Sequence, residues 1–568
     1  MCITEEETMK KIPWFQIIVF ISILMLLTSS CSGIQKVAGK KVTVQIVYGS
    51  EKQEWLEPLV SQFNQSMTKT STGEIIVVEA IPMGSIESAR EIVNQTLTPT
   101  VWSPASSIYI PVINAEWRKT HSDDIVKGSL NDLVLSPVVI AMWKPMAEAL
   151  GYPDKPIGWA DISQLAISEE GWSAYGYPEW GAFKFGHTHP MYSNSGIVSI
   201  IAEAYAGANK TRGLTLDDLK NPALRSFMQE VESSIIHYGE STGFFAARLF
   251  ERGPSYLSAA VLYENLVVAQ QSKVLANEVQ QIDIVAIYPK EGTFWSNHPY
   301  AILEAPWVTA EQREAAQIFE KFLLDRPQQE LAVKLGFRPS PAAPDIPLTA
   351  PLDAQHGVDI KQPQTVLEIP SAEVIASIQQ LWTEVKKPVD LVVVVDTSGS
   401  MGGKKITSAR VSLNQFIDML YDRDRIEVIT FSSDIITLSP MSELGSKREE
   451  LTRRVSGIIE GGDTRLYDAV LLAYRELEEN GDPKHIRAVV VLSDGNDTAS
   501  ESTLQDVLDA LESNTEEGGN APKLFTIAYG DDADKQVLTE LAEITGGKQY
   551  SSEPETIIEI YKKIATFF

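Results

Sequence analysis

The sharpest pattern of apolar and polar positions lies in the last third of the chain. Val389 to Asp396 (VDLVVVVD) is a nearly unbroken apolar run, as expected of a strand covered on both faces of a parallel sheet. After it, Ala409, Leu413, Phe416 and Leu420 fall on one stripe at helical spacing. Arg425 to Phe431 is the next strand. Ala488 to Asp494 and Leu524 to Gly530 are two more, each followed by a helical stretch. Strands alternating with helices predict an α/β unit with a doubly wound parallel sheet over residues 388–568.

Residues 42–387 read as mixed α/β. Strand-like runs are Val42 to Tyr48, Ile75 to Glu79, Leu133 to Met142 and Ile282 to Tyr288, with helix-like stretches such as Glu54 to Phe63 and Ala310 to Leu324 between them. A body over 42–345 gives way to a segment over 346–387, where the proline-rich run Pro339 to Pro351 leads to an amphipathic stretch, Ser371 to Val385. Ser371 is placed to cap that helix. Only Lys386-Lys387-Pro388 then precedes the next strand, a junction short enough to keep two bodies packed together.

The N-terminus reads as an address. Lys10 and Lys11, the apolar run Ile17 to Leu27 and the small residues Thr28-Ser29-Ser30 describe a secretory signal over residues 1–30. This eleven-residue run falls short of the roughly 20 that span a bilayer, although a retained anchor stays open. Small residues ending in cysteine resemble a bacterial lipoprotein cleavage site, which implies that Cys31 becomes the acylated first residue. Thr28 stands where that pattern has leucine, and Leu27 comes one place early. Glu5-Glu6-Glu7 is foreign to such a signal, and Met9 offers another start. The expected location is the cell membrane or envelope, lipid-anchored on the extracytoplasmic face.

Charge and cysteine content narrow the partners. The 568 residues carry 76 acidic and 48 basic side chains, a net −28, which argues against nucleic acid as a partner. The only cysteines are Cys2 and Cys31, so no disulfide or four-cysteine metal site can form beyond residue 31.

Ligands of parallel sheets bind beyond the carboxyl ends of the strands. There the first strand of 388–568 ends in Asp396-Thr397-Ser398-Gly399-Ser400, the loop Gly461-Gly462-Asp463-Thr464 offers another hydroxyl, and a later strand ends at Asp494. Asp396, Ser398, Ser400, Thr464 and Asp494 are all hard oxygen donors, suited to Mg²⁺, Mn²⁺ or Ca²⁺. Helix capping explains such residues singly but not their convergence. Gly402-Gly403-Lys404 fails as a phosphate loop, because no glycine lies five residues before Gly403 and no Ser or Thr follows Lys404. The five residues resemble the metal-ion-dependent adhesion site of von Willebrand factor A and integrin inserted domains, Asp-x-Ser-x-Ser followed by a distant Thr and a distant Asp. The resemblance covers about 388–568. It implies that the hydroxyls contact the metal, that the aspartates act largely through water, and that a protein partner's acidic residue completes the shell.

Several segments of 42–345 resemble bacterial extracellular solute-binding proteins. They are Tyr48-Gly49-Ser50-Glu51-Lys52, Val101 to Ser107, Gly186-His187-Thr188-His189-Pro190 through Gly196, Tyr263-Glu264-Asn265, Tyr288 to Thr293 and Gly336-Phe337-Arg338-Pro339. The resemblance implies a two-lobed, periplasmic-binding-protein-like (type II) domain. Ser50, Ser103, Ser106, Thr188, Ser193 and Asn194 lie in short polar loops whose hydroxyls and amides can bind an anion or sugar oxygens, though turns and caps use the same residues. His187-x-His189 shows no third metal ligand beside it and reads as surface or loop histidine. Trp159, Trp172 and Trp180, with Tyr175 and Tyr177, offer a stacking wall for a sugar or ordinary core. Gly239-Glu240-Ser241-Thr242-Gly243 has the spacing of a nucleophile elbow, but Leu224 to Tyr238 reads as a helix and the elbow needs a strand.

No catalytic set stands out. The preferred reading is an exported, lipid-anchored protein that binds a protein partner through a metal, with the front domain as solute sensor or scaffold. The alternative is the receptor of an import system of the ATP-driven class, with the C-terminal domain as assembly module. A regulatory subunit of a cytoplasmic ATP-driven enzyme is disfavoured by the export signal.

Overall fold

The computed structural model describes residues 40–515 and 521–568, so the signal segment and Cys31 lie outside the described residues. Before residue 340 the chain lays down ten strands: β1 (Lys41–Tyr48), β2 (Ile75–Pro82), β3 (Val101–Ser103), β4 (Val134–Trp143), β5 (Phe185–Gly186), β6 (Ala259–Tyr263), β7 (Ile284–Ile287), β8 (Trp295–Ser296), β9 (Ala301–Ile302) and β10 (Arg338–Pro339). They form two sheets and hence two lobes. The first has the order β2-β1-β3-β9, and the second β10-β4-β6-β5 with β7 and β8 also against β4. The chain crosses between lobes before β4 and returns after β8.

Alternation places the first lobe's core. Val42, Val44 and Ile46 of β1 are buried while Lys41 and Thr43 face out. The buried set meets Trp55, Leu59 and Phe63 of the helix Gln53–Gln65 and Phe319 and Leu323 of the helix Ala310–Leu324. Thr309 and Gln312 cap the latter reciprocally. The proline-rich stretch runs as a strap over the second lobe, where Ala286 donates to the Gly357 carbonyl at 2.8 Å and Thr293 to that of Thr365 at 3.1 Å.

The C-terminal unit is one six-stranded sheet: β11 (Val389–Asp396), β12 (Arg425–Phe431), β13 (Ile435–Glu443), β14 (Ile486–Ser493), β15 (Lys523–Tyr529) and β16 (Lys548–Ser552). Its order is β13-β12-β11-β14-β15-β16. Every residue of β11 is buried, the reason its sequence shows no alternation. The sheet is not wholly parallel, because β13 pairs antiparallel with β12 as an edge strand. No helix among the described residues is long and apolar enough to cross a membrane.

The second lobe and the C-terminal sheet share one continuous apolar core. Trp382, on the helix Ala372–Val385 capped by Ser371, is fully buried between His189 (ring centroids 4.9 Å apart) and Tyr238 (5.2 Å). The Tyr238 amide donates to the Phe567 carbonyl at 3.2 Å, and Gln379 Nε2 to the Pro190 carbonyl at 3.0 Å. Arg423 donates to the carbonyls of Glu384 and Lys386, holding the junction down. Trp382→Ala should therefore cost about 3–5 kcal/mol. Urea unfolding followed by circular dichroism checks this, with the C-terminal sheet and second lobe losing their common transition.

Candidate metal centre and interlobe cleft

β11 and β14 lie side by side, with Val395 opposite Leu492, so Asp396 and Ser493 leave the sheet together. Ser493 Oγ donates to Asp396 Oδ2 at 2.7 Å, and the Ser398 amide to Oδ1 at 2.9 Å. Ser398 Oγ stands 2.9 Å from Ser400 Oγ, which donates to Asp494 Oδ1 at 2.7 Å. The third loop is sewn to the first by Gly399 N to Gly462 O (3.0 Å) and Gly461 N to Thr397 O (2.7 Å). Gly462 sits at φ +91°, and a Cβ there would meet Ser433 Oγ at 2.7 Å, so this close approach requires glycine. A Cβ placed on Gly495 would stand 3.8 Å from Ser400 Oγ and 4.0 Å from Thr464 Oγ1, so both hydroxyls border Gly495.

All five predicted residues are thus brought to one sheet edge. Asp396, Ser398, Thr464 and Asp494 are buried and Ser400 is exposed, giving the site a solvent-facing side. Burial pushes the Asp396 carboxyl up; bonds from Ser398 and Ser493 oppose this, and the charge of Asp494 adds to it. Two carboxylates and three hydroxyls fit a hard divalent cation, which would relieve that strain. Lys405, which the sequence reading missed, donates to Asp494 Oδ2 at 2.6 Å and already neutralises part of the charge. Ser493 was also missed, although it directly precedes Asp494.

The cleft between the lobes is closed. Ser50 Oγ of the first lobe is 3.0 Å from Ser241 Oγ of the second and accepts from the Gly243 amide at 3.3 Å. The amides of Ile86 and Glu87, in the first turn of the helix Ser85–Val93, both donate to the Tyr192 carbonyl at 3.1 Å. What remains has no room for a water molecule and is lined by Ser50, Ser85, Ser193, Asn194, Thr242 and Tyr263 among others.

Of the six predicted solute residues, Ser50, Ser193 and Asn194 line this cleft. Ser103 is buried, its hydroxyl without a partner among the described residues, while Ser106 Oγ caps the Ile108 amide at 3.2 Å. Thr188 Oγ1 accepts from the Gly196 amide at 2.7 Å. Sequence reasoning missed Ser241, Thr242 and Tyr263, and the charged group behind the cleft. There Lys52 Nζ meets Glu51 Oε1 (3.0 Å), the Ser103 carbonyl (3.1 Å) and His298 Nδ1 (3.1 Å). Burial opposes ionisation of Glu51, but Lys52 and His298 hold it at about 2.

Two expectations need correction, and an open choice is decided. The helix read over Leu224–Tyr238 ends at Glu232, and the following residues run extended, with Ile235 and Gly239 bridging Phe185 and Thr188. Ser241 then begins the helix Thr242–Arg252 from ordinary extended backbone (φ −146°), bonded to Ser50, which is no strained elbow. His187 and His189 do lie in a loop, but they are buried and not at the surface. Trp159 and Trp172 are core, and Trp180 stacks on the part-exposed Tyr177 at 4.0 Å, so the five aromatics form no single wall.

Fold and sites together define a two-lobed binding domain joined to a doubly wound domain with an oxygen-donor centre. The family described as bacterial extracellular solute-binding protein matches residues 44–338, more than half of the chain, and the chain belongs to it. The von Willebrand factor type A domain matches residues 390–562. Among curated proteins, the chain is similar to inter-alpha-trypsin inhibitor heavy chain H4 of Bos taurus, 29% identical over 168 residues, 28% of this chain and 18% of that one. The human protein of that name is 29% identical over 169 residues, with the same shares. The chain thus spans less than a fifth of these relatives. Among solved structures it is similar to the periplasmic binding protein AfuA from Actinobacillus pleuropneumoniae (13% identity, 61% of this chain and 98% of that one, TM-score 0.41). It is also similar to a von Willebrand factor type A protein from Catenulispora acidiphila (21%, 32% and 42%, TM-score 0.29).

The closed lobes carry a pH dependence. Burial and then the charge of Glu240 push Glu87 up to about 7, against Lys563. Between the unfolded value of 4.5 and about 7 the folded chain keeps a proton that the unfolded chain releases. Stability from this group is therefore present at low pH and lost as pH rises through that window. Glu87→Gln should flatten the dependence and gain on wild type at pH 8 relative to pH 5, read from urea midpoints.

Proposed function

We propose that the C-terminal domain binds Mg²⁺, or Mn²⁺ or Ca²⁺ in its place, through Asp396, Ser398, Ser400, Thr464 and Asp494. In this reading an acidic residue of a protein partner completes the shell from the solvent side. The observation that carries it is the meeting of three loops at one sheet edge, with Ser400 linking Ser398 to Asp494 and exposed to solvent. Neutral hydroxyls leave much of a dication's charge uncompensated, so an incoming carboxylate gains more there than water does. The protein is exported and held at the extracytoplasmic face by a lipid on Cys31, consistent with its membership of an extracellular family.

The front domain senses a small polar solute and scaffolds the metal-binding domain. Hydroxyls from both lobes meet across its cleft, which supports a solute with several oxygens. The Ile86 and Glu87 amides are occupied by Tyr192, and Glu87 lies against Glu240. That charge favours an uncharged polyol over an anion. The same cleft supports the second reading, a receptor that loads a solute for import.

Calorimetry of the full chain with Mg²⁺ and Mn²⁺ tests the main reading. Asp396→Ala and Thr464→Ala, on different loops, should each weaken binding by about tenfold or more without unfolding the sheet, a loss of at least about 1.4 kcal/mol. Lys405→Ala should tighten it by freeing Asp494. If both alanine variants bind as wild type does, the five residues are caps and not one centre. A partner retained in excess EDTA would remove the metal bridge. For the address, Cys31→Ala should abolish labelling by a fatty-acid probe; equal labelling of both proteins would rule the anchor out.

A further inference from the structure

A second cluster suited to a cation lies in the second lobe, far in sequence from the first. His187 follows β5, Glu203 lies within the helix Asn194–Gly207, and Glu232 ends the helix Pro222–Glu232. All three are fully buried, and one ligand atom from each lies within 4.8 Å of the others.

Hydrogen bonding around them is unbalanced. His187 Nδ1 is 2.7 Å from the Thr188 carbonyl, which can only accept, so Nδ1 carries a proton and Nε2 faces Glu232 Oε1 at 3.0 Å. The Tyr238 hydroxyl donates to the other oxygen, Oε2, at 2.6 Å. Neither carboxyl oxygen of Glu203 has a partner among the described residues, although the side chain is wholly inside the protein. A buried acid without a donor is costly unless something neutralises it. Lys386 and Lys387 act on Glu232 electrostatically, yet Lys386 Nζ donates to the Lys387 carbonyl and neither forms an ion pair with the cluster.

We propose that His187 Nε2 and the carboxylates of Glu203 and Glu232 form a divalent transition-metal site, distinct from the centre at Asp396. A dication held by two carboxylates and a neutral imidazole has no net charge, which removes the penalty of burying the acids. The carbonyl on Nδ1 and the phenol on Glu232 are the supports that orient metal ligands. An imidazole donor selects Zn²⁺, Mn²⁺ or Fe²⁺ over Mg²⁺ or Ca²⁺. His189 takes no part: its Nδ1 accepts from the Met191 amide at 3.1 Å, and its ring packs on Trp382. The ion ties together three elements that reach the cleft and the domain junction, since Asn194 begins the helix of Glu203 and Tyr238 bonds both Glu232 and Phe567.

The test uses the full chain carrying Asp396→Ala, so that the oxygen-donor centre is weakened and excess Mg²⁺ displaces other ions from it. Protein is purified from cells grown with added Zn²⁺, Mn²⁺ or Fe²⁺, dialysed against Mg²⁺, and analysed by elemental mass spectrometry. About one equivalent of one of the three ions should remain. Glu203→Gln, nearly isosteric, should fold by circular dichroism and lower affinity at least about tenfold. X-ray absorption of the retained ion should show a nitrogen donor that His187→Gln removes; this variant decides the matter if Glu203→Gln does not fold. Folded protein retaining none of the three ions, or a folded Glu203→Gln variant retaining as much as its parent, overturns the site and leaves Glu203 a protonated core acid. Neither outcome bears on the centre at Asp396.

Discussion

Two carboxylates, Asp396 and Asp494, stand fully buried where an apolar sheet ends, and the surrounding loops are shaped by the need to hold that charge. Like charges in such surroundings repel strongly, so each oxygen is met by a donor. Asp396 takes the Ser398 amide and the Ser493 hydroxyl; Asp494 takes the Ser400 hydroxyl and the Lys405 ammonium. Serine suits these positions better than a fixed donor would. Its hydroxyl can give its proton to a carboxylate and turn a lone pair toward a cation, serving both states without moving the backbone.

The shared core makes the cleft and the C-terminal domain parts of one body. Residues 187–193 and 235–241 each touch three things: the cleft, the buried His187 cluster and the Trp382 junction. Ser193 and Ser241 line the cleft. Tyr238, between them and Phe567, bonds Glu232 and packs on Trp382. A change in how the lobes meet must therefore be absorbed by the same backbone that carries the C-terminal domain. A junction of flexible linker would transmit nothing.

How much was legible follows from burial. β11 and β12 were bounded from sequence to the residue, because their buried apolar positions stop where polar loops begin. β13 and β16 escaped, since an edge strand with a half-exposed pattern and a five-residue polar strand carry no such signal. The five residues at the sheet edge could be read because strand ends position them and three lie within five residues of sequence. The cleft was only half legible. Ser50, Ser193 and Asn194 sit beside turns that can be recognised, whereas Ser241 and Thr242 were hidden by extending the helix past Glu232. Nothing local announces that Glu51 and Lys52, neighbours in one 3-10 turn, are buried as a pair.

The second lobe's acids show why partner inventory, and not burial alone, separates a scaffold from a site. Glu264 is as buried as Glu203, but Arg338 grips it with two bonds of 2.8 and 2.7 Å. Glu51 is likewise enclosed, yet Lys52 and His298 both reach it, and nothing further is needed to neutralise it. These groups satisfy one another, so their charge explains rigidity and asks for no ligand. Glu203 has no such partner, and Glu232, the charge next to it, is of the same sign. A fold that supplies a forked arginine for one buried acid and a lysine for another has the means to pair a third. Leaving both oxygens of Glu203 without a donor beside Glu232 and His187 is economical only if a cation, or a proton held permanently, comes between them.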